Sequence, residues 1–368
     1  MMKIDFTRTL NACALLTVTV LTITACGSAG ASGPEDSAGA LGSVVQQKAF
    51  DELYQKALGA GETQVTVYGP PASPEFYEAF TRRFPGIKVT PQQLQGPIRT
   101  AKLEAEKSSG NSVGDVATDG QRAIGALSNE GWCDSFDPIM DVDAKWLHMN
   151  NTVLDYSSLV FGVLYNTNMV EEKDVPRSWE DLLDPKWKGK MSIADPAGPS
   201  VSTAAFASML VPESNNERYG MSYLQKLKAQ EISYAAKSPM VPQSVASGDT
   251  ALGVLVSGHQ YKEAKDKGAP VGFSFPLEAD NVNQPNSVCL LKNAPNPNAA
   301  KLYLDWIYSP DGQTVIAETQ MLYPIMPGTN QPEGLPPFSD VKGFELLPLE
   351  EGITGYDDAR KTVVSTFG

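Results

Sequence analysis

The stretch GETQVTVYGPPASPEFYEAFTRRFPGIKVTPQ at residues 61–92 decides the fold. The alternating Val65 and Val67 predict a strand, which ends in a loop at the glycine and prolines that follow. Ser73 ahead of a proline is typical of a helix start, and we expect it to be the N-cap. The helix ends at Gly86, and IKVTPQ predicts a second strand. Strand, helix and strand in succession indicate an α/β fold.

The same alternation continues along the chain. TAKLEAEKSSG and QRAIGALSNEG predict helices on either side of the strand GDVATDG. The apolar run SSLVFGVLYNTNMV at residues 157–170 predicts a long buried strand. Further strands are expected in MSIADP, EISYAAKS and ALGVLVSG, with helices between them. The body is therefore predicted to be α/β with mostly parallel strands.

Length and charge restrict the classes of function. The chain has 368 residues. Without its N-terminal leader and linker about 320 remain, which is more than one hydrophobic core usually holds, so we expect two lobes. The net charge is −14 and the pI is about 4.7. An acidic surface argues against nucleic acid and against an anionic membrane surface as binding partners.

The N-terminus has the pattern of an export signal. Lys3 and Arg8 precede an uncharged run at residues 12–25. This run has about 14 residues, which is too short to span a membrane. We therefore predict a signal peptide at residues 1–25.

The end of this signal resembles a bacterial lipobox. The residues are Ile-Thr-Ala-Cys at 23–26, and the resemblance implies that Cys26 carries a lipid anchor. A plain signal peptide with a chance cysteine is the alternative. Residues 26–45 are rich in Gly, Ser and Ala, so we predict a disordered tether there.

The remaining cysteines and histidines give little support for a metal centre. Cys133 and Cys289 can form a disulfide in an exported protein, and two buried thiols are equally compatible with the sequence. Neither cysteine belongs to a CxxC motif. The histidines are His148 and His259, so a zinc site would need carboxylates to complete it. We predict no metal and no cofactor.

Several segments together resemble a known family. YNTNMV, PRSWEDLLDPKWKGKMSIADP, GAPV, NPNAAKLYLDWIYSPDGQ and LYP are similar to segments of the extracellular solute-binding proteins of ABC importers. The branch is the one that contains ferric-ion-binding proteins and relatives for phosphonates and thiamine. The resemblance runs from about Thr63 to Pro327, and SWEDLLDP is its most specific part.

The resemblance implies a two-lobed, type II periplasmic-binding-protein-like α/β fold with a ligand cleft between the lobes. The implied boundaries are lobe 1 at 62–163 and 275–330, lobe 2 at 164–274, and a C-terminal helical tail at 331–368. The chain is then expected to cross between the lobes near Gly162–Asn166 and near Phe273–Gln284.

The implied function is that of a substrate-binding lipoprotein. It captures a small polar or anionic solute and delivers it to a membrane permease with its ATPase. The chain is expected to be a monomer, held by its lipid at the outer face of the cytoplasmic membrane. We find no GxSxG or HExxH motif and expect no enzyme activity. One alternative is a ferric iron-binding protein, and another is an exported sensory or enzymatic lipoprotein on the same scaffold.

Candidate ligand-binding residues follow from loops at strand ends and from helix starts, where free N–H groups favour anions. They are Tyr68, Ala72 and Ser73 in YGPPAS; Thr118, Asp119 and Gln121 in TDGQ; Ser200, Ser202 and Thr203 in GPSVST; Gln243 in PMVPQS; His259 and Tyr261 in SGHQYKE; and Tyr323 in LYP.

Each candidate also has an ordinary structural interpretation. Hydroxyls at a helix start are preferred caps, and Asp119 before a glycine is typical of a turn. His259 is equally compatible with an exposed loop position, and Tyr323 with a core aromatic. Ferric-binding members of the family carry two adjacent tyrosines in the segment that corresponds to SGHQYKE, whereas this chain has Tyr261 alone there. That departure argues against ferric iron.

Overall fold

The computed structural model describes residues 40–70, 72–198, 200–211, 219–274, 281–340, 343–345 and 352–368. The predicted signal peptide, the predicted lipid site at Cys26 and tether residues 26–39 lie outside this part of the chain. So does the middle of the second predicted crossing, at residues 275–280. Within the described residues, no helix is long and apolar enough to cross a membrane.

The described chain contains helices and strands in alternation. The helices are α1 (Val44–Gly59), α2 (Pro74–Arg83), α3 (Gly96–Ser109), α4 (Gln121–Asn129), α5 (Val201–Leu210), α6 (Met221–Lys228), α7 (Met240–Ser247), α8 (Gly258–Asp266), α9 (Pro297–Tyr308), α10 (Pro310–Val315) and α11 (Gly352–Phe367). The strands are β1 (Gln64–Gly69), β2 (Lys88–Gln93), β3 (Val116–Gly120), β4 (Cys133–Asp134), β5 (Leu147–His148), β6 (Val153–Asn166), β7 (Met191–Ala194), β8 (Ser233–Ala235), β9 (Leu252–Ser257), β10 (Val271–Ser274), β11 (Asn281–Leu291), β12 (Tyr323–Pro324) and β13 (Gly343–Glu345).

The opening strand, helix and strand form as predicted. The Ser73 hydroxyl accepts a hydrogen bond from the Phe76 amide and caps α2, with Pro74 in its first turn. Phe76 and Phe80 on the inner face of α2 are buried. Gly86 follows the helix with φ +95°, a conformation that glycine adopts readily. β1 and β2 then pair in parallel, so the α/β prediction is confirmed.

Helix α1 was not predicted, and it reaches into the expected tether. Ser43 and Gln46 form a capping box, each side chain bonded to the other's backbone amide. Phe50 and Ala57 on α1 are buried. The helix therefore begins at Val44, inside the segment 26–45, because a specific cap and a buried face outweigh the polar composition.

The sheet is parallel at its ends and antiparallel in the middle. Its strand order is β2-β1-β3-β11-β6-β9-β7-β8. β1 pairs in parallel with β2 and β3, and β7 pairs in parallel with β8 and β9. The long strands β6 and β11 run antiparallel to each other and to their outer neighbours. The expectation of mostly parallel strands is therefore wrong for the centre, where these two strands link the two parallel parts.

Two large hydrophobic clusters form separate cores. The first, defined by residues such as Phe80, Leu154 and Trp306, contains side chains of α1, α2 and α9. The second, with Phe161 and Phe206 among its members, contains side chains of α5, α6 and α11. β6 contributes to both, so it runs from one core to the other. The lobe boundaries given above remain a prediction.

A disulfide bond joins Cys133 on β4 to Cys289 on β11. Their Cα atoms are 5.8 Å apart, within the usual range for such a bond. The alternative of two buried thiols is equally compatible with the sequence, because cysteine spacing alone does not show which cysteines lie within bonding distance.

Candidate functional site

A cleft lies where β6 passes between the two cores. It consists of a large compartment of about 580 Å³ and a small compartment of about 240 Å³. The two compartments share Leu159, Ser257 and His259 on their walls, so they are parts of one site. Volumes in this range are typical of small-molecule sites.

The small compartment is built on the side of the first core. Its wall residues come from the β1–α2 loop, α2, β3, the central strands, α9 and the turn after α10. They are Pro70, Ala72, Phe76, Tyr77, Thr118, Tyr156, Leu159, Ser257, His259, Asn286, Val288, Tyr303, Ile307, Gln320 and Leu322. Their hydrogen-bonding groups are hydroxyls, amides and one imidazole, with no carboxylate, lysine or arginine among these described residues.

The tyrosines of the small compartment are neutral phenols. The Tyr156 and Thr118 hydroxyls lie 3.3 Å apart. Burial raises the pKa of Tyr77 to about 12 and also raises the pKa of Tyr156. At neutral pH these groups therefore donate or accept hydrogen bonds but carry no charge.

The large compartment lies mainly between α7 and α8. Its wall residues include small apolar side chains and a polar rim. They are Leu159, Phe161, Val201, Ser238, Pro239, Pro242, Gln243, Ala246, Ser257, His259, Gln260, Glu263, Ala264, Lys267, Ala269 and Gln284. Lys267 donates to Glu263 at 2.6 Å, so these two charges on the rim are paired.

His259 stands where the two compartments meet. It is the second residue of α8 and is exposed to solvent. The preceding Ser257 caps this helix: its hydroxyl accepts from the Gln260 amide at 3.3 Å, while Gln260 Oε1 accepts from the Ser257 amide at 3.1 Å. This capping box fixes the start of α8 and therefore the place of His259 in the cleft.

Ala72, Thr118, Gln243 and His259, all predicted from the sequence, stand on compartment walls. Ser73 lies beside them. Gln320 donates to the Ser73 hydroxyl at 2.9 Å, which connects the first turn of α2 to the turn after α10. Contact of these residues with a solute remains a prediction.

Three predicted tyrosines lie elsewhere. Tyr68 is fully buried and donates to the Glu106 carboxylate at 2.5 Å. Tyr323 is 1% exposed and donates to the Pro336 carbonyl at 2.9 Å. Tyr261 stacks on Phe273 with ring centroids 5.0 Å apart. None of these three side chains is on the described walls of the two compartments, and their contact with a solute stays a prediction.

Two of the three predicted hydroxyls at the start of α5, those of Ser200 and Thr203, are bonded to the helix and to the loop before it. Ser200 donates to the Asp195 carbonyl at 2.8 Å and accepts from the Thr203 amide at 3.3 Å. Thr203 donates to the Pro196 carbonyl at 3.0 Å, and Ser202 is fully buried. Ser200 and Thr203 thus form a capping arrangement, and among the described residues of this loop Val201 lies on the wall of the large compartment. An oxyanion-binding role of the loop stays a prediction.

Asp119 and Gln121 line a third cavity of about 200 Å³ that touches the large compartment at Gln284. The Asp119 carboxylate lies 3.2 Å from the guanidinium of Arg99, whose side chain is only 2% exposed. Gln121 donates to Asp155 at 2.7 Å. Both side chains are oriented by internal partners, and their contact with a solute stays a prediction.

Several wall residues were missed from the sequence. Tyr156 and Asn286 lie on the central strands, whereas Tyr77 and Gln320 lie on α2 and on the π-helical turn Ile316–Gln320. The sequence places candidate residues at strand ends and helix starts. The predicted strand at residues 157–170 begins one residue after Tyr156, and Asn286 lies just beyond the predicted crossing that ends at Gln284, so no motif points to these two side chains.

The described residues contain no group of three or more His, Cys, Asp or Glu that is placed to hold a metal ion. In the small compartment, iron bound by tyrosine would need phenolates. Burial raises the pKa of Tyr77 and of Tyr156, so both phenols are neutral in the protein without a bound metal.

Comparison with protein families gives a match along most of the chain. The model of the bacterial extracellular solute-binding proteins matches residues 75–340. An uncharacterized protein of Haemophilus influenzae is 29% identical over 218 residues, covering 57% of this chain and 61% of that protein. The chain thus spans about three fifths of the length of this curated relative.

Two further proteins extend the comparison. A putative 2-aminoethylphosphonate-binding periplasmic protein of Salmonella typhimurium is 25% identical, covering 68% of this chain and 72% of that protein. The crystal structure of iron-bound HitA from Pseudomonas aeruginosa superposes with a TM-score of 0.68 at 19% identity, covering 83% of this chain and 99% of HitA. At that identity the likeness shows the fold alone, which is the predicted two-lobed periplasmic-binding-protein fold.

Proposed function

The chain belongs to the family of bacterial extracellular solute-binding proteins, and on this basis we propose that it is the substrate-binding lipoprotein of an ABC importer. It captures a small polar or anionic solute in the cleft and delivers it to a membrane permease, which an ATPase drives. The observation that carries the proposal is the pair of compartments joined at Leu159, Ser257 and His259, between two separate cores.

The geometry supports capture and release rather than catalysis. A solute that enters the cleft touches the β1–α2 loop and β3 on one side and the α7–α8 region on the other. Since β6 contributes to both cores and pairs with β11, bending of these strands brings the two sides together, as in hinge closure of binding proteins. We therefore propose a transport receptor without enzyme activity.

We propose that the mature protein is exported and tethered through Cys26 to the outer face of the cytoplasmic membrane. The support is the sequence of residues 1–26, and the curated relative from Salmonella typhimurium is described as periplasmic. The protein acts as a monomer that docks on the permease when its cleft is closed.

The proposed ligand is a polar or anionic solute held by hydrogen bonds. The small compartment offers the Thr118 and Tyr156 hydroxyls and the amides of Asn286 and Gln320. His259 adds an imidazole whose ring nitrogens can donate or accept a hydrogen bond. Binding of 2-aminoethylphosphonate, ascribed to the Salmonella relative, belongs to the same class of small anionic solutes.

Native mass spectrometry of residues 40–368, purified gently from the natural host, tests this function. We expect one organic mass that is lost on mild activation. Gln243→Ala lowers the occupied fraction, because Gln243 lies on the wall of the large compartment. Gln225→Ala is the matched control, since Gln225 is an exposed glutamine on α6.

Two results would count against the proposal. An added mass equal to iron would favour the ferric alternative. An equal occupied fraction in Gln243→Ala, in its control Gln225→Ala and in His259→Ala would place the solute outside the cleft. A protein purified without any added mass is screened by thermal shift against phosphonates, carboxylates, amines and sugars.

A further inference from the structure

We propose that the solute of this cleft is an organic molecule with an apolar body and a polar head that carries at most one negative charge. The head occupies the small compartment, and the body lies over Leu159 in the groove between α7 and α8. This inference rests on the proposed function and narrows its class of substrate.

The first argument is the surface where the compartments meet. Leu159 is a half-buried leucine on the walls of both compartments, and Phe161, next on the same face of β6, is 6% exposed. A charged group placed against these side chains would lose hydration without gaining a hydrogen bond. A solute that spans both compartments therefore presents apolar surface to Leu159 and Phe161, beside the polar groups of Ser257 and His259.

The second argument is the groove between α7 and α8. Pro242 and Ala246 on α7 face Ala264 on α8 across the large compartment, with Ala269 beyond the end of α8. These small side chains leave space and offer carbon rather than hydrogen-bonding groups. They favour a ring or a short aliphatic chain, whose burial is favourable in proportion to its area.

The groove is a property of one packed unit. Val241 and Val245 on α7 and Val256 on β9 belong to a single hydrophobic cluster, against which Ala246 and Ala264 also pack. Its width is therefore set by packing inside that cluster. A movement between the two large cores therefore does not by itself change the spacing of these side chains.

The third argument is the charge on the walls. The charged groups on the described walls of the large compartment are Lys267 and Glu263, which pair with each other on the rim, and the titratable His259. The described walls of the small compartment contain no lysine or arginine. Recognition of a dianion such as a phosphate ester usually uses those residues. Neutral donors with one imidazole match a neutral or singly charged head.

Titration with N-phenyl-1-naphthylamine, a neutral apolar fluorophore, tests the groove. We expect saturable binding at one site per protein, with enhanced fluorescence. Ala264→Leu fills the groove and weakens binding by about tenfold, which corresponds to a loss of about 1.4 kcal/mol. Ala105→Leu makes the same change at an exposed position of α3 and leaves binding unchanged.

Ala246→Leu narrows the groove from the facing helix, so it repeats the test if Ala264→Leu fails to fold. Binding that does not saturate, or that both groove variants leave unchanged, would overturn the proposal. The titration needs neither permease nor natural solute. A negative titration therefore contradicts the proposal that the solute has an apolar body. The mass spectrometry experiment tests the solute-binding role separately.

Discussion

The hydroxyls of two buried tyrosines are held by specific acceptors. Tyr68 donates to Glu106, which also accepts from the Val113 amide at 2.9 Å. Tyr308 donates to the Asp155 carbonyl at 2.9 Å. Each of these bonds fixes a side chain that has almost no contact with solvent. Substitution of such a core residue is therefore expected to change the stability of the protein, whereas substitution of a residue on the cleft wall is expected to change solute binding.

Tyr68→Phe is expected to lower stability without changing the occupied fraction of the cleft. The substitution removes one donor from a buried carboxylate, and a loss of this kind costs about 1–2 kcal/mol. Urea unfolding measures the first effect and native mass spectrometry the second. Tyr234→Phe is the control, because Tyr234 is 39% exposed. A Tyr68→Phe protein that keeps its stability but loses its solute would contradict the assignment of Tyr68 to the core.

Asp305 gives the chain a specific dependence on pH. Its carboxylate accepts from the Ile139 amide at 2.6 Å, and burial raises its pKa from 3.8 to about 7. The folded state therefore binds this proton more tightly than the unfolded state. The associated stability is fully present below pH 4 and is lost as the pH rises to about 7.

Asp305→Asn is expected to remove this dependence. Relative to the variant, the wild type should lose stability between pH 4 and pH 8, by up to about 4 kcal/mol for a shift of about three pKa units. Urea unfolding of both proteins at a series of pH values measures the difference. Parallel curves for the two proteins would show that the carboxyl titrates at its ordinary pKa.

At the scale of elements, α11 connects the two sides of the molecule. Ala359, Val363 and Phe367 are buried in the second core, where Phe367 stacks on Phe206 with ring centroids 5.3 Å apart. The ring centroid of Tyr356 on α11 lies 3.8 Å from the guanidinium carbon of Arg122 on α4. The helix thus packs on one core and touches a helix whose Ile124 is buried in a cluster with β3 and β11 residues.

A double-mutant cycle with Arg122→Ala and Tyr356→Ala should reveal this contact. Desolvation lowers the pKa of Arg122, so the cation is partly removed from water and its interaction with the ring is strengthened. We expect a coupling free energy of about 0.5–2 kcal/mol in urea unfolding. Tyr356→Phe keeps the ring and should keep most of the coupling. Additive effects of the two alanine variants would show that the contact contributes nothing.

Local signals made some elements predictable. Alternating valines, a serine cap and a glycine after the helix were sufficient for β1, α2 and β2, because these signals act within a few residues. The start of α1 was missed, although Ser43 and Gln46 form a capping box, since composition was weighed above the cap. The direction of the central strands was not predictable, because it depends on pairing between β6 and β11.

The site was predictable only in its loops. Thr118 lies near the end of β3, and His259 lies in the first turn of α8, directly after β9; both reach the compartment walls. Tyr68 also ends a strand but faces the core, since alternate residues of a strand face opposite sides. Gln320 and Asn286 reach the same compartment from distant parts of the chain. No spacing in the sequence predicts that Gln320 and Asn286 line the same compartment.

At the scale of the whole molecule, the central claim is that one solute is held from both sides of the cleft. The first core supplies Ala72 and Thr118, and the α7–α8 region supplies Gln243 and His259. A solute in this place protects the backbone on both sides when the hinge strands close.

Hydrogen–deuterium exchange is the measurement that tests this claim most directly. It compares residues 40–368 purified with their solute and the same protein after reversible unfolding and dialysis. The account predicts that removing the solute speeds exchange in two segments, 72–76 and 257–260, and leaves β2 unchanged. Faster exchange in only one of these segments, or in neither, would contradict binding between the two sides of the cleft.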